Sequence, residues 1–399
     1  MKKPLPSNTF CILPWIHFFH EPSGNIQPCC SANTINKQFG NLRDFDSAES
    51  VMNSKSMREV RTDMLAGNKN SACSQCYREE SVGLNSFRTN KNLDIKNFNI
   101  DVDSLLSNTD SDGTLHDFKM QYWDSRFSNI CNYKCRMCGP AYSHTWAEES
   151  YRGTGRKDFV IQAHDTTDWA SIISKYGDLS ELKEVYFAGG EALFQAEHWA
   201  MLDHLDQLGL HDIRITYTTN LSKLSFGKHR LEEYLQRFTN ILFIVSLDAV
   251  GPLLEYIRSG ADWANTQKNI KTVLAYPNTK LKFNIVITVY NILHLAEVFD
   301  FAFDNSTVFE GTDLTVSHGP FDQNITNLPA ELKDLARDRL LSSSKYEILK
   351  DKIDAVITYM YQSPSMSWEA VIATTQKLDQ VRNEYVLDVV PEFAPYWKL

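Results

Sequence analysis

Hydrophobic residues between positions 119 and 318 fall in short blocks separated by longer, helix-like stretches. The blocks are rich in β-branched and aromatic residues, and several are apolar on both faces, which is typical of buried parallel strands. Because parallel neighbours need long crossover connections, the alternation predicts an α/β fold with a parallel sheet. The predicted strands are 119–128, 185–188, 212–219, 241–247, 283–289 and 313–318.

The stretches between these strands carry apolar residues at helical spacing. Right-handed crossovers would then place ligands at the carboxyl ends of the strands. The predicted helices are 169–176, 199–205, 231–238, 263–275 and 293–304, and the end of the chain is predicted to be mostly helical, at 330–362 and 366–386.

The first 110 residues lack this alternation. They are rich in turns and cysteines, and the polar run LSNTDSDGTLHD at 106–117 is typical of a linker. We therefore expect a cysteine-rich module at 1–110, an α/β domain at 118–325 and a helical C-terminal extension at 326–399.

The composition of the chain indicates where in the cell the protein is located and which classes of partner it can bind. Hydrophobic residues make up 43% of the 399 residues, which is ample for a core. No apolar run reaches the about 18 residues of a membrane span, and the first residues do not resemble a signal peptide. We therefore expect a cytoplasmic protein without a membrane partner. A net charge of −10 argues against a broad nucleic-acid-binding surface.

The cysteines form two groups, both before residue 139. The second group is CNYKCRMC at 131–138, directly after the first predicted strand. Clustered cysteines in a cytoplasmic chain indicate metal or redox chemistry rather than disulfides. Thiolates select zinc, copper(I) or iron–sulfur clusters, and three thiolates on one loop would leave the fourth iron of a 4Fe–4S cluster open. The alternatives are a zinc site completed by a distant histidine and a chance association of thiols.

Polar motifs also follow the later strands. A Gly-Gly turn lets a ligand approach the backbone, the carboxylate after it suits an ammonium group, and a guanidinium suits a carboxylate. A simple turn and a solvated helix-end arginine are the alternatives. The candidate residues are Gly189, Gly190, Glu191, Thr218, Asn220, Ser246 and Arg258.

In this order the motifs resemble those of the radical S-adenosylmethionine (radical SAM) enzymes. The CNYKCRMC loop resembles the cluster loop of that family, with Met137 at a position that is often aromatic and whose backbone meets the adenine. AGGEAL at 188–193 resembles the motif that binds the methionine amino group. Ser246 and Arg258 resemble residues that bind the ribose or the methionine carboxylate, and Thr218 and Asn220 are placed to contact the cofactor.

The resemblance implies a partial (β/α)6 barrel and a 4Fe–4S cluster on Cys131, Cys135 and Cys138. It further implies S-adenosyl-L-methionine as cofactor, cleaved reductively to a 5′-deoxyadenosyl radical that abstracts a substrate hydrogen. An electron donor such as flavodoxin or ferredoxin is the partner that this chemistry needs.

The first cysteine group resembles the start of the SPASM and Twitch auxiliary-cluster modules, which usually follow the barrel rather than precede it. The single-cluster Twitch type would use four ligands and leave Cys30 as a spare. A second 4Fe–4S cluster is therefore expected, with a structural zinc ion as the alternative. The expected ligands are Cys11, Cys29, Cys73 and Cys76.

Enzymes with such modules mostly modify peptides or proteins. The first functional hypothesis is therefore net oxidation or crosslinking of a peptide or protein side chain. The second is a dehydrogenase of a sugar or aminocyclitol, and the third is a zinc-stabilised binding protein without catalytic activity. No general base is assigned. Some polar residues lie near predicted strand ends, where solvated or structural roles are the alternative, and His318 is the strongest candidate because it follows the last strand. These residues are Asp124, Arg126, Asp248, His318 and Asp322.

Overall fold

The computed structural model describes residues 5–34, 38–81, 85–152, 161, 178–308, 312–317 and 319–398. The chain divides into two compact units. The first comprises the described residues within 1–129 and 161–215, and the second those within 130–160 and 216–399. The helix predicted at 169–176 and His318 lie outside the described residues. No helix in the described part of the chain is long and apolar enough to span a membrane.

Seven strands form the main sheet, and their order in the sheet is their order in the chain. All six predicted strands are present, with ends shifted by a few residues, and the α/β fold class is confirmed. The arrangement is consistent with a partial radical SAM barrel. The strands are β1 (His17–Phe19), β2 (Tyr122–Ser125), β3 (Glu184–Phe187), β4 (Arg214–Thr219), β5 (Asn240–Ser246), β6 (Thr279–Ile287) and β7 (Thr312–Val316).

Strand β1 is the one that the hydrophobic pattern does not predict. It has three residues, all buried, so it shows no alternation that periodicity could detect. It pairs in parallel with β2, with His17 opposite Tyr122, and β2 pairs in parallel with β3. The cysteine-rich segment therefore contributes a strand to the sheet.

The polar run at 106–117 is packed rather than extended. Leu115 is buried, and its backbone N–H and carbonyl both bond to the Asn53 side chain, at 2.8 Å each. The helices of the first unit are Leu13–Ile16, Ala48–Met52, Lys55–Leu65, Ser74–Ser81, Phe87–Asn92, Asp94–Asn97, Val102–Ser107 and Ala196–Gln207.

In the second unit, β5, β6 and β7 are parallel neighbours. Alternate residues of β5 are buried, because successive side chains of a strand point to opposite faces. The helices predicted for the C-terminal extension are present, with the first divided in two. The helices of this unit are His144–Ser150, Leu231–Leu235, Gly251–Ile257, Trp263–Leu274, Leu295–Asn305, Ala330–Leu341, Tyr346–Met360, Trp368–Arg382 and Val386–Val389. The three domain boundaries stay predictions.

Candidate functional site

The loop with three cysteines lies in the second unit. Lys134–Cys135 forms a short antiparallel ladder with Arg258–Ser259, which puts Cys135 opposite Arg258. The Cys138 N–H donates to the Cys135 carbonyl at 3.0 Å and closes a turn between the two cysteines. Cys131 and Cys135 are buried with Tyr133, and Cys138 and Met137 pack against them. The structure thus brings the three predicted ligands together.

Helix His144–Ser150 and its N-cap hold this loop in place. The Cys131 N–H donates to Nδ1 of His144 at 3.0 Å. The hydroxyl of the N-cap residue Ser143 donates to the Tyr133 carbonyl at 2.7 Å, and the indole N–H of Trp146 donates to the Cys135 carbonyl at 3.0 Å. Side chains from this helix and its N-cap therefore fix the backbone at Cys131, Tyr133 and Cys135.

Arg258 lies directly beside one of the thiols. Its Nη1 donates to Cys135 Sγ at 3.6 Å, and its Nη2 lies 2.8 Å from Asp248 Oδ2. Asp248 is fully buried, and its Oδ1 accepts the Val286 N–H at 2.8 Å. Burial raises the pKa of Asp248, and Arg258 opposes this rise in part. Arg258 Nε is buried and has no hydrogen-bond partner within the described residues.

The thiols lie in a dry environment. Burial raises the pKa of Cys135 to about 11 and raises that of Cys138 as well, while the Arg258 guanidinium lowers both in part. Both cysteines are therefore neutral thiols near pH 7 when no metal is bound. Iron binding displaces the thiol proton, and the neighbouring guanidinium favours the thiolate that results.

The other predicted residues of this unit lie on or after strand ends. Asn220 is directed to the cluster loop, since its Nδ2 donates to Asn132 Oδ1 at 3.0 Å. Its Oδ1 accepts the Ser222 N–H at 2.9 Å, so it joins the segment after β4 to that loop. Thr218 on β4 and Ser246 at the end of β5 are half-buried. Contacts of all three with a cofactor stay predictions.

The predicted methionine-binding turn follows β3 in the first unit. Gly189 has a φ of +111°, and a Cβ there would lie 3.1 Å from the Ser128 carbonyl oxygen, so this position requires glycine. The Gly190 N–H donates to the same oxygen at 3.1 Å. Glu191 is buried and its carboxylate accepts the Leu193 N–H at 3.3 Å. The turn is thus closely packed, and its role in binding a ligand stays a prediction.

Four thiols of the N-terminal group lie near one another, also in the first unit. Burial raises the pKa of Cys11, and repulsion from Cys73 and Cys76 raises it further. Burial likewise raises the pKa of Cys29, with repulsion from Cys30, Cys11 and Cys73. These mutual effects indicate that Cys11 lies within electrostatic range of each of the other three predicted ligands.

Neighbouring side chains hold the Cys11 segment. The Phe10 carbonyl accepts hydrogen bonds from Arg88 Nη1 at 2.7 Å and from Asn92 Nδ2 at 2.9 Å. The Ile12 N–H donates to Asn92 Oδ1 at 2.9 Å. Both residues that flank Cys11 are thus fixed by one short helix, Phe87–Asn92.

Cys30 has different neighbours from Cys29. Cys30 is exposed at the surface, whereas Cys29 is half-buried. Desolvation by nearby atoms and the Asp124 carboxylate raise the pKa of Cys30, and the Arg126 guanidinium lowers it. Asp124 and Arg126 form a buried ion pair at the end of β2, with Nε and Oδ1 3.0 Å apart. Cys30 therefore lies towards this pair, which favours Cys29 as the ligand within the adjacent pair.

The donor sets fit iron–sulfur clusters. Each set consists of thiols alone, and soft thiolates are the ligands that such clusters take. Among the described residues, no three His, Cys, Asp or Glu side chains converge on one point as ligands of a single ion would. A cube differs in that each thiolate binds a separate iron at its own corner. Cys131, Cys135 and Cys138 would hold one cluster, and the four N-terminal thiols another.

Sequence reasoning does not establish the contacts of two groups of residues at the three-cysteine site. Asp248 lies two residues after the end of β5 and pairs with Arg258, and a carboxylate near a strand end is the one available signal. Arg136 lies inside the motif, but its partners Asp379 and Glu384 lie in the C-terminal extension. No local pattern connects residues so far apart.

Comparison with known proteins gives matches at both sites. The model of the radical SAM superfamily matches residues 125–302, and that of the SPASM iron–sulfur cluster-binding domain matches residues 11–77. The first implies a 4Fe–4S cluster and S-adenosylmethionine as cofactors, and the second implies a further iron–sulfur cluster. No curated protein matches the chain significantly.

Several solved structures are similar at low identity. Native anSMEcpe with bound AdoMet and Cp18Cys peptide is 14% identical, with a TM-score of 0.36, over 58% of this chain and 61% of that one. Streptococcus suis SuiB bound to S-adenosylmethionine is 16% identical, with a TM-score of 0.37, over 75% and 63%. The chain thus spans less than two thirds of either relative, and such likeness carries no argument about substrate. Residues 125–302 thus match the radical SAM superfamily, and the segment that precedes them in the chain, residues 11–77, matches the SPASM iron–sulfur cluster-binding domain.

Proposed function

We propose that this chain is an enzyme that uses S-adenosylmethionine to begin radical chemistry on a side chain of a peptide or protein. The net reaction proposed is an oxidation or a crosslink. When bound, the 4Fe–4S cluster and S-adenosylmethionine supply the 5′-deoxyadenosyl radical that abstracts a substrate hydrogen. The chain's own residues bind and orient the cofactor and the substrate, and they exclude water from the site.

The observation that carries the proposal is the position of Arg258. A buried guanidinium lies 3.6 Å from the thiol of Cys135, and its Nε has no hydrogen-bond partner within the described residues. A buried donor without a partner is costly, so this Nε–H is suited to an anionic group of a ligand. The methionine carboxylate of S-adenosylmethionine is such a group, and a guanidinium binds carboxylates well.

Other residues of the chain support this role. Asp248 holds Arg258 from the side, so that the guanidinium keeps its direction when a ligand binds. The loop with Gly189, Gly190 and Glu191 would bind the amino group, since a carboxylate accepts from an ammonium. Met137 would contact the adenine. These assignments are proposals that rest on the resemblance of the motifs.

The N-terminal thiols would hold an auxiliary cluster. Its proposed role is to accept the electron that remains after hydrogen abstraction, which makes the overall reaction an oxidation. Flavodoxin or ferredoxin is the proposed donor to the first cluster. The peptide or protein substrate class is proposed because the chain combines a radical SAM domain with a SPASM-type domain.

Iron and sulfide counts after anaerobic reconstitution test the cofactor assignment. We expect about eight irons in the wild type and about four in a Cys131/Cys135/Cys138→Ala variant. The matched control is Cys30→Ala, which should keep all of the iron. About four irons in the wild type and none in the triple variant would contradict a second cluster.

Deuterium transfer tests the substrate class. Extract from source cells grown in heavy water is separated by ultrafiltration into macromolecules and small molecules, and each fraction is incubated with enzyme, S-adenosylmethionine and dithionite. Deuterium in the 5′-deoxyadenosine produced is expected from the macromolecular fraction and should disappear after protease treatment. Deuterium from the small-molecule fraction alone would contradict a peptide or protein substrate.

A further inference from the structure

Arg136 is a residue of the three-cysteine motif, and its side chain is fully buried. Its Nη2 lies 2.6 Å from Asp379 Oδ1 and 2.6 Å from Glu384 Oε2. Its Nε donates to the Tyr256 carbonyl at 3.0 Å, and its guanidinium lies 3.7 Å from the centre of the Tyr256 ring. A residue between two predicted cluster ligands is therefore bound by two carboxylates of the C-terminal extension.

Asp379 is the centre of this arrangement. Its Oδ1 also accepts the Tyr256 hydroxyl at 2.9 Å, and its Oδ2 accepts the Val386 N–H at 2.9 Å. Helix Trp368–Arg382 then ends at Asn383, which has a left-handed φ of +54°. This turn reverses the chain, so that Glu384 reaches the same guanidinium as Asp379.

A second arginine of the extension holds the ladder of the cluster loop. Arg382 Nη1 donates to the Lys134 carbonyl at 2.7 Å and to the Ser259 hydroxyl at 3.1 Å. The Ser259 hydroxyl in turn donates to Glu384 Oε1 at 2.7 Å. The side chain of Arg382 is 1% exposed and also pairs with Glu149 at 2.8 Å. Both strands of the ladder that carries Cys135 and Arg258 are thus bound from the extension.

Buried ion pairs of this kind fix geometry more effectively than they add stability. Removing charges from water is costly, and only well-placed partners offset that cost. Breaking such a network leaves a buried charge unpaired and displaces the backbone to which it is bound. Here that backbone is the stretch from Lys134 to Arg136, which contains Cys135 and lies two residues before Cys138.

We propose that Asp379, Arg382 and Glu384, called the C-terminal clamp, are positioning residues for the cluster-binding loop. The clamp holds the loop in the conformation that retains the cluster and that sets Arg258 beside it. This proposal rests on the proposed assignment of Cys131, Cys135 and Cys138 as cluster ligands.

Two substitutions each remove one carboxylate charge of the clamp with little change in shape, Asp379→Asn and Glu384→Gln. The matched control is Glu369→Gln, an exposed carboxylate in the first turn of the same helix. Each protein is reconstituted anaerobically, and iron loss to an excess chelator is followed. We expect loss from the three-cysteine site to be about tenfold faster or more in the clamp variants, which corresponds to about 1.4 kcal/mol. The control should match the wild type.

A spectroscopic readout separates positioning from general stability. The electron paramagnetic resonance spectrum of the reduced protein is recorded with and without S-adenosylmethionine. We expect the change on addition of S-adenosylmethionine to be weaker or shifted in the clamp variants, while the signal of the N-terminal cluster stays as in the wild type. If Asp379→Asn does not fold, the half-buried Glu384 provides the decisive variant.

The outcomes separate this proposal from the cofactor assignment. If the Cys131/Cys135/Cys138→Ala variant loses about four irons while both clamp variants behave as wild type, the positioning role is wrong and the cluster assignment stands. If the triple cysteine variant keeps all of its iron, the assignment itself is wrong and the clamp proposal falls with it. Faster iron loss from both clusters at once would indicate general destabilisation and would also overturn the clamp.

Discussion

The substitution Arg258→Lys tests the proposed anion-binding role of the buried guanidinium. Lysine keeps the positive charge but offers one ammonium in place of three differently directed nitrogens. In the wild type, Nη1 faces Cys135 Sγ at 3.6 Å, Nη2 faces Asp248 at 2.8 Å and Nε is without a partner among the described residues. A single ammonium cannot serve all three directions.

The expected loss of affinity for S-adenosylmethionine follows from the number of hydrogen bonds that the side chain at position 258 can make. The ammonium will pair with Asp248, because a buried carboxylate without a partner is the most costly alternative. The bond from Nε to the bound ligand is then lost, and a hydrogen bond to a charged group contributes about 1.5–3 kcal/mol. Since about 1.4 kcal/mol is a factor of ten, the dissociation constant for S-adenosylmethionine should rise about 10- to 140-fold.

Isothermal titration of S-adenosylmethionine into the reconstituted protein measures this change. The matched control is Arg337→Lys in the C-terminal extension, where a surface arginine pairs with Asp334 and Asp338 and donates to the Tyr361 hydroxyl. The control should bind with wild-type affinity. Iron content is measured on the same samples, so that loss of the cluster is not mistaken for loss of affinity. An affinity within twofold of wild type for Arg258→Lys would refute the role given to Arg258.

Three further predictions concern stability. Asp248→Asn leaves Arg258 buried beside a neutral amide, so the free energy of unfolding should fall by about 3–5 kcal/mol, and an unchanged denaturation midpoint would count against the pairing. Gly189→Ala should cost about 1 kcal/mol or more in thermal melts, because φ is +111° and a Cβ would lie 3.1 Å from the Ser128 carbonyl, whereas Gly139→Ala meets nothing within 4 Å and should have little effect. Burial lowers the pKa of His17 to about 3, so the unfolded state binds more protons between about pH 6.5 and 3 and stability should fall as the pH falls through that window. His17→Gln should flatten this dependence in the cluster-free protein, and an equally steep profile would show that other groups cause it.

The sequence predicts the features that depend on local pattern. Six strands follow from runs of β-branched residues, and the three-cysteine loop follows from its spacing after the first of them. Strand β1 is missed because its three residues, one histidine and two phenylalanines, show no periodicity and the stretch around them is equally consistent with cover for a metal site. Its pairing with β2 depends on residues more than a hundred positions apart.

Long-range contacts explain the rest of what sequence misses. In the sequence, Arg136 is one charged residue within a cysteine motif, and its partner Asp379 lies 243 positions later. Cys29 and Cys30 have nearly the same sequence environment, yet one lies beside Cys11 and Cys73 and the other beside the Asp124–Arg126 pair. Such distinctions arise from tertiary packing, which no spacing rule contains.

The central claim is that the three-cysteine site supports reductive cleavage of S-adenosylmethionine. The direct measurement is 5′-deoxyadenosine, quantified by liquid chromatography after the reconstituted protein has been incubated anaerobically with S-adenosylmethionine and dithionite. The wild type should form it, and the Cys131/Cys135/Cys138→Ala variant should not. A wild type with its full iron content that forms none, or a triple variant that forms as much as the wild type, would contradict the claim.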